Sequence, residues 1–194
     1  MFELVTEFEN RLAEFFGAPY AVATDCCTHA LELCLRYKKI RSTSCPVRTY
    51  VSVPMTFKKL GISWEWQDLN WQEYYHLSNT NIIDAAVLWK QNSYITGTLM
   101  CVSFQFNKHL SLGRGGIILT DSASDAEVIR KMSYDGRQRG IPWAEQTYDT
   151  FGYHYYMTPE TAKIGLQKLP EAITNPPKIW SYLDYPNLPL ILKI

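Results

Sequence analysis

The feature that most constrains the fold is a strand, turn and helix unit near the amino terminus. Residues 20–24 form a short apolar run that predicts a strand, and a turn follows at residues 25–28. Apolar residues then recur at helical spacing, as they also do in the segment before Gly17. Strand, turn and helix in this order form the unit of parallel α/β folds. We therefore expect an α/β protein with a three-layer α/β/α arrangement and a mostly parallel sheet.

The unit recurs less regularly along the rest of the chain. Residues 47–53 predict a strand that leads into a helix ending near Gly61, and residues 62–67 predict the next strand. The later predictions are strands at 81–84, 98–104 and 116–120, and helices at 125–134 and 159–169.

The 194 residues of the chain fit one ordinary domain. We assign residues 1–170 to this α/β domain. Residues 171–194 are proline-rich, and we expect them to wrap the domain as an irregular C-terminal tail.

Composition and charge argue against several classes of protein. The 19 basic residues offset 19 acidic ones without a run of either sign, so we expect no nucleic-acid-binding surface. No apolar run approaches the ~20 residues of a membrane span, and the N-terminus does not resemble a signal peptide. The five cysteines are scattered without metal-ligand spacing, which predicts reduced thiols, a cytoplasmic protein and no metal site.

Four residues have the positions and side chains of a binding site. Thr28 begins a helix after a strand, where backbone N–H groups favour a phosphate. Asp84 ends an apolar strand, where acids face the ligand crevice of α/β proteins. Lys108 follows a buried strand, which lowers the pKa of an amine and makes it nucleophilic. Tyr50 is an aromatic residue at a predicted strand end that could stack on a planar ring. Each also has an ordinary structural explanation, such as a helix cap, a surface lysine or a packed aromatic ring.

Taken in order, several segments resemble the DegT/StrS family of sugar aminotransferases, which are fold-type I enzymes that use pyridoxal 5′-phosphate (PLP). FGAPYAVAT is similar to the family's opening glycine and strand, and CCTHALELCL to its Ser-Gly-Thr turn and helix. The segments TYVSVP, IIDAA, SFQFNKHLSLGRGG and GYHYYMTPETAKIGLQKL match family segments in the same order.

The resemblance implies roles for individual residues. Lys108 would be the Schiff-base lysine and catalytic proton shuttle, and Asp84 would pair with the pyridine nitrogen of PLP. Thr28 and Ser103 would hold the cofactor phosphate with the backbone at Cys27.

Two further roles follow from the same resemblance. Tyr50 would stack on the cofactor ring. His154 stands where the family has an asparagine that reaches the cofactor phosphate of the partner subunit, so a homodimer with sites at its interface is expected.

The implied reaction is amino transfer from glutamate or a similar donor to a keto sugar on a nucleotide. Two alternatives stay open. One is a PLP enzyme of another activity, such as a sugar dehydratase, and the other is a non-catalytic remnant that serves as a binding or assembly module.

The chain departs from the family pattern at several positions. Val87 replaces a glutamine or histidine, Cys26 and Cys27 replace a Ser-Gly pair, and Arg114 replaces a glutamate. Residues 68–84 are too few for the usual strand and helix crossover. The C-terminal small domain of the family is expected to be missing.

Overall fold

The computed structural model describes residues 2–193. Met1, the first residue of the predicted domain 1–170, and Ile194, the last residue of the predicted tail 171–194, lie outside it. The helices are α1 Glu3–Phe16, α2 Cys27–Tyr37, α3 Ser52–Leu60, α4 Ala123–Ser133, α5 Pro159–Thr174 and α6 Leu188–Ile191. The strands are β1 Tyr20–Thr24, β2 Ser42–Pro46, β3 Ser63–Gln67, β4 Tyr75–His76, β5 Ile82–Asp84, β6 Leu99–Ser103 and β7 Gly116–Thr120. Single 3-10 turns occur at Trp143–Glu145 and Tyr182–Asp184. Among the described helices, none is long and apolar enough to cross a lipid bilayer.

The main sheet has five strands in the order β1-β7-β6-β5-β4, and β2 and β3 form a separate parallel pair. Alternate residues of its strands face opposite sides, as the twofold period of a strand requires. On one side Ala23 and Met100 pack with helices α1 and α5. On the other side Val22 and Cys101 pack with α2, α3 and α4. The expected three-layer α/β/α arrangement is therefore confirmed.

The sheet is mixed, whereas a mostly parallel one was expected. In the main sheet β5 and β6 are parallel, but β1 with β7, β6 with β7, and β4 with β5 are antiparallel. Parallel neighbours need a crossover of a dozen or more residues, usually a helix. The segments between β4 and β5 and between β6 and β7 contain no helix, and each returns the chain directly beside the strand it left.

The prediction of a strand at residues 47–53 is wrong. The strand lies earlier, at Ser42–Pro46, and residue 53 is already in α3. Its residues are mostly small and polar, and the inward-facing Thr43 is satisfied by a 3.0 Å hydrogen bond to the carbonyl of Ser78. A strand of this composition gives almost no apolar signal in the sequence.

Helix α5 continues past its predicted end at residue 169 and past Pro170, the predicted end of the domain. Its last turn is held from outside the helix. The Trp89 indole N–H donates to the carbonyl of Ala172 at 2.8 Å, and His109 Nε2 lies 2.8 Å from the same oxygen. These contacts satisfy a carbonyl at the helix end, so the helix extends beyond the proline.

The segment after α5 folds back onto the domain. The Leu188 N–H donates to the carbonyl of Val47 at 2.8 Å, and the Leu188 side chain is buried. The Arg48 guanidinium donates to the carbonyl of Tyr185 at 2.8 Å. These contacts fix the segment beside the start of α3, at the edge of the sheet where β5 and β6 end.

Helices α1 and α5 touch through Gly165. A methyl group added at Gly165 would lie 2.5 Å from Cε2 of Phe8, which is fully buried in the core. We expect Gly165→Ala to destabilise the protein by about 1–3 kcal/mol through overpacking. Alanine otherwise favours a helix interior by about 1 kcal/mol, so the sign of the effect is diagnostic. Urea denaturation measures it, with the exposed Lys163→Ala on the same helix as control. A stabilised Gly165→Ala protein would contradict this packing.

Candidate active site

One cavity of about 280 Å³ opens at the edge of the sheet where β1, β5 and β6 end. This volume is close to the lower end of the roughly 300–1,000 Å³ typical of small-molecule sites. All of the predicted site residues except His154 line it, namely Cys27, Thr28, Tyr50, Asp84, Ser103 and Lys108. The sheet explains this gathering, because β1, β5 and β6 run in the same direction and bring their carboxyl ends to one edge.

Asp84 is the buried acid of the cavity, with a relative exposure of 5%. Its Oδ1 accepts the Ala86 N–H at 3.0 Å, and its Oδ2 accepts the Tyr75 hydroxyl at 2.6 Å. Burial raises the pKa of Asp84, while these hydrogen bonds and the Lys108 ammonium oppose the increase. The carboxyl is therefore held in a fixed orientation by one donor on each oxygen.

Tyr75 is a site residue that the sequence did not predict. It lies on the two-residue strand β4, where it pairs with Asp84. Its hydroxyl donates to Asp84 and accepts from Thr49 at 2.6 Å. Burial and the neighbouring Asp84 raise the pKa of Tyr75, so the phenol stays a proton donor. A two-residue strand in a polar segment offers no periodicity by which it could have been found.

Lys108 lies in the loop between β6 and β7, where its N–H donates to the Gln105 carbonyl at 2.8 Å. Its Nζ is 5.1 Å from the ring centroid of Trp180. Burial lowers the pKa of Lys108, partly offset by Cys27 and Asp84, and Lys178 lowers it further. The amine is thus partly desolvated, on the same cavity as the acid.

The N-terminus of α2 forms another wall. None of the described side chains caps it, and Cys27 is its first residue. A methyl group on Gly116 would lie 2.5 Å from the Cys27 nitrogen, so this glycine lets β7 approach the helix end closely. Cys27 takes the place of a family glycine, but it has a regular helical backbone that any residue adopts. Free N–H groups and the helix dipole favour an anion here.

Hydroxyl groups surround this helix end. The Thr28 hydroxyl donates to Ser52 Oγ at 2.9 Å. Ser103 is buried, and its Oγ accepts the Gln105 N–H at 3.3 Å. Tyr50, 44% exposed, lies at the mouth of the cavity, where its hydroxyl accepts from Gln105 Nε2 at 3.4 Å. The Ser103 hydroxyl can therefore add a donor to those of the helix, and the Thr28 hydroxyl adds one when it turns from Ser52 to a ligand.

His154 lies apart from this cavity. Its side chain is 70% exposed, and its Nδ1 is 3.0 Å from Oδ2 of Asp135. Within one chain it therefore does not join the other predicted residues.

The positions that depart from the family pattern have defined surroundings. Val87 is buried next to Asp84, Tyr75 and Tyr185. Arg114 lines the cavity and donates to Oδ2 of Asp25 at 2.7 Å.

Asp25 also holds His29, whose Nδ1 lies 2.7 Å from Asp25 Oδ1. Ligand atoms of Asp25, Cys26 and His29 lie within 4.8 Å of one another, a spacing that a metal could use. Both carboxylate oxygens of Asp25 are engaged by cations, however, so we interpret the group as an ion-pair cluster. Burial alone would lower the pKa of His29, but hydrogen bonds to Asp25 and Cys26 raise it to about 9.

The His29–Asp25 pair predicts a pH-dependent stability. Because the folded pKa of about 9 exceeds the ordinary 6.5, the stabilisation is complete below pH 6.5 and is lost as pH rises through 9. We expect the free energy of unfolding, measured with urea, to fall over this range more steeply in the unmodified protein than in His29→Gln. The exposed His76→Gln is the control and should follow the unmodified protein. If the free energy of unfolding changes with pH in the same way in all three proteins, the His29–Asp25 pair is not the source of the pH dependence.

Solved structures share this fold. AtS13 from Actinomadura melliaura is 20% identical, with a TM-score of 0.76 over 87% of this chain and 60% of its own. The sugar aminotransferase CalS13 from Micromonospora echinospora is 14% identical, with a TM-score of 0.71 over 88% and 61%. DesI, solved in the presence of its TDP-sugar product, is 20% identical, with a TM-score of 0.68 over 88% and 53%. The chain thus has the fold-type I architecture of these proteins and spans between about half and three fifths of their length.

Family membership rests on a separate comparison of sequences. No curated protein matches the chain. A sequence model of the DegT/DnrJ/EryC1/StrS aminotransferase family matches residues 1–63 and 91–183, which include Lys108 and Thr28. Asp84 and Val87 fall in the interval between the two matched segments. The chain belongs to the DegT/DnrJ/EryC1/StrS aminotransferase family.

Proposed function

We propose that this protein is a PLP-dependent aminotransferase that moves an amino group from glutamate or a similar amino acid to a nucleotide-linked keto sugar. One observation carries the proposal. The Lys108 amine, the buried Asp84 carboxyl and the uncapped N-terminus of α2 line the same cavity. Amine, acid and anion site are the three groups that the aldehyde, ring nitrogen and phosphate of PLP require.

The residues present fit PLP. Asp84 is buried, and its two known donors are uncharged, so it can accept a further charge-assisted hydrogen bond from a ring N–H. The N-terminus of α2 offers backbone donors to a phosphate, and a side chain at Gly116 would obstruct that end. Bound PLP supplies an electron sink for breaking bonds at the amino-acid carbon.

Lys108 has the properties of the reacting amine in this proposal. Because burial lowers its pKa, a larger fraction of Lys108 is neutral near pH 7 and able to attack a carbonyl carbon. The same Nζ, once free, can hold a proton and move it between neighbouring carbons within the cavity. The first task depends on the partial burial of the lysine, because the charge of Asp84 by itself would raise its pKa.

In this proposal Asp84 keeps the ring nitrogen protonated, and the Tyr75 hydroxyl orients the Asp84 carboxyl. The Tyr75 hydroxyl and the Ala86 N–H favour the ionised carboxyl against the effect of burial. Thr28, Ser103 and the Cys27 N–H hold the phosphate, and Tyr50 stacks on the ring at the mouth of the cavity.

Family membership supports the proposed acceptor and partner. The structure of DesI with its TDP-sugar product supports a nucleotide-linked sugar as the acceptor class. We further propose a homodimer in which His154 reaches the cofactor phosphate of a second copy. Its exposed side chain, outside the cavity of its own chain, is compatible with this role. Exposed Trp143 and Phe151 on the preceding segment offer apolar surface for the contact.

Covalent binding of PLP tests the proposal. We expect the purified protein with PLP to develop a visible absorbance band and borohydride to fix PLP on Lys108, as mapped by peptide mass spectrometry. Lys108→Ala should lose both signals, whereas the exposed Lys58→Ala should keep them. Label spread over surface lysines in the unmodified protein would overturn the proposal. A specific band without release of 2-oxoglutarate from glutamate would instead favour another PLP activity, such as dehydration.

Tyr75→Phe tests the support of Asp84. Removing a hydrogen bond to a charged group costs roughly 1.5–3 kcal/mol, so we expect PLP to bind about ten- to a hundredfold more weakly. The pKa of Asp84 rises without the hydroxyl, so the defect should shrink as pH increases and Asp84 ionises. Absorbance titration of PLP at several pH values measures both effects. Tyr37→Phe, which removes a hydroxyl that donates to Asp125 at the other end of α2, is the matched control. Equal affinities for Tyr75→Phe and the control would contradict the assignment.

A further inference from the structure

The segment after α5 brings a tryptophan against the candidate reactive lysine. The Trp180 carbonyl accepts the Glu73 N–H at 2.8 Å, and the Tyr182 N–H donates to the Trp71 carbonyl at 3.1 Å. Ser181, between them, forms a bridge with Gln72. The backbone on both sides of Trp180 is therefore tied to the short segment that precedes β4.

A local turn fixes Trp180 from its own side. The Asp184 carboxylate accepts the Ser181 N–H at 2.9 Å, and the Ser181 hydroxyl completes a capping box with the following 3-10 turn. The other oxygen of Asp184 lies 2.6 Å from Lys178 Nζ. These contacts fix the backbone that carries the indole of Trp180.

Two ammonium groups contact the indole of Trp180. Lys108 Nζ lies 5.1 Å from the ring centroid, and Lys178 Nζ lies 3.8 Å from it. A cation within about 6 Å of an aromatic ring is attracted by the negative charge of its face. The two cations repel each other, and Lys178 lowers the pKa of Lys108 as a result.

We propose that Trp180 is a positioning residue for Lys108, whose ammonium it holds at the edge of the cavity through the face of its indole. The catalytic meaning of this contact depends on the proposed function, but the contact itself does not depend on PLP. Held there, the Lys108 Nζ stays within the cavity in the protonated state, which a proton shuttle must adopt in each turnover. The segment after α5 thereby acts on the site through Lys108, which lines the cavity.

The contact has opposite consequences for two substitutions. Loss of the aromatic face destabilises the Lys108 ammonium, whereas loss of the Lys178 charge stabilises it. Replacing the indole also exposes Lys108 to water, which by itself favours the ammonium. Phenylalanine and leucine at position 180 have comparable apolar bulk, so a comparison of these two isolates the effect of the ring.

The test measures how the labelling of Lys108 by trinitrobenzenesulfonate depends on pH in protein without PLP. Peptide mass spectrometry quantifies Lys108 relative to the exposed Lys58 in the same sample. We expect the midpoint of Lys108 labelling to be about half a pH unit lower in Trp180→Leu than in Trp180→Phe, the size of an exposed cation–π contact. Lys178→Gln should move the midpoint upward. Trp66→Leu, on strand β3 away from the cavity, is the control and should leave it unchanged.

Equal midpoints for Trp180→Leu and Trp180→Phe would overturn the proposal. If Trp180→Leu fails to fold, Trp180→Met takes its place as the non-aromatic variant, and equal midpoints for Trp180→Met and Trp180→Phe would likewise overturn the proposal. The PLP spectrum of the unmodified protein is recorded in parallel. If the labelling shifts as expected but the PLP absorbance band does not appear, the aminotransferase proposal fails and the proposed contact between Trp180 and Lys108 is still supported.

Discussion

The site depends on how one buried carboxylate is compensated. An acid in the protein interior loses its hydration, and its charged form survives only with hydrogen-bond donors and a nearby cation. Asp84 has the Tyr75 hydroxyl, the Ala86 N–H and the Lys108 ammonium in its surroundings. Burial still dominates and raises its pKa. A further cationic donor, such as a protonated ring nitrogen, would complete the compensation, so the apo site is electrostatically suited to a ligand that brings one.

Tyr75, which donates to Asp84, and Trp180, which contacts Lys108, belong to one aromatic network. Tyr75 contacts Trp71, Trp71 contacts Tyr185, and Tyr185 contacts Trp180, with ring centroids between 5.4 and 6.2 Å apart. One end of the row holds the acid and the other end contacts the lysine. The row thus packs the segment 68–84 against the segment after α5. Residues 68–84 are too few to form a crossover helix.

Much of the fold was readable from local patterns. Strands β1 and β7 have the predicted bounds because each is a short apolar run between turn residues. Thr28, Asp84 and Ser103 were accessible for a related reason, since each stands at the end of an element that local sequence defines. Tyr50 and Lys108 lie in loops, and their roles came from the family resemblance. The antiparallel pairings and strand β2 were missed, because pairing direction depends on connection geometry and β2 is polar.

Tyr75 and Trp180 were beyond sequence reasoning for a different reason. Both act through contacts with residues that are distant in the chain or lie on very short elements. Tyr75 reaches Thr49 across 26 positions, and nothing in the residues around either partner indicates the other. Trp180 meets Lys108 only because the segment after α5 folds back. Long-range contacts of this kind carry no periodicity.

The departures from the family pattern are matched by compensating neighbours. Arg114 stands in place of a glutamate, and Asp25, just before α2, provides a carboxylate that pairs with it at 2.7 Å. Val87 removes a polar contact near Asp84, and the Tyr75 hydroxyl supplies a donor to that acid. At both positions a side chain of this chain contacts the charged group concerned, since Asp25 pairs with Arg114 and Tyr75 donates to Asp84. These contacts hold Arg114 and Asp84 in place at the cavity, which both of them line.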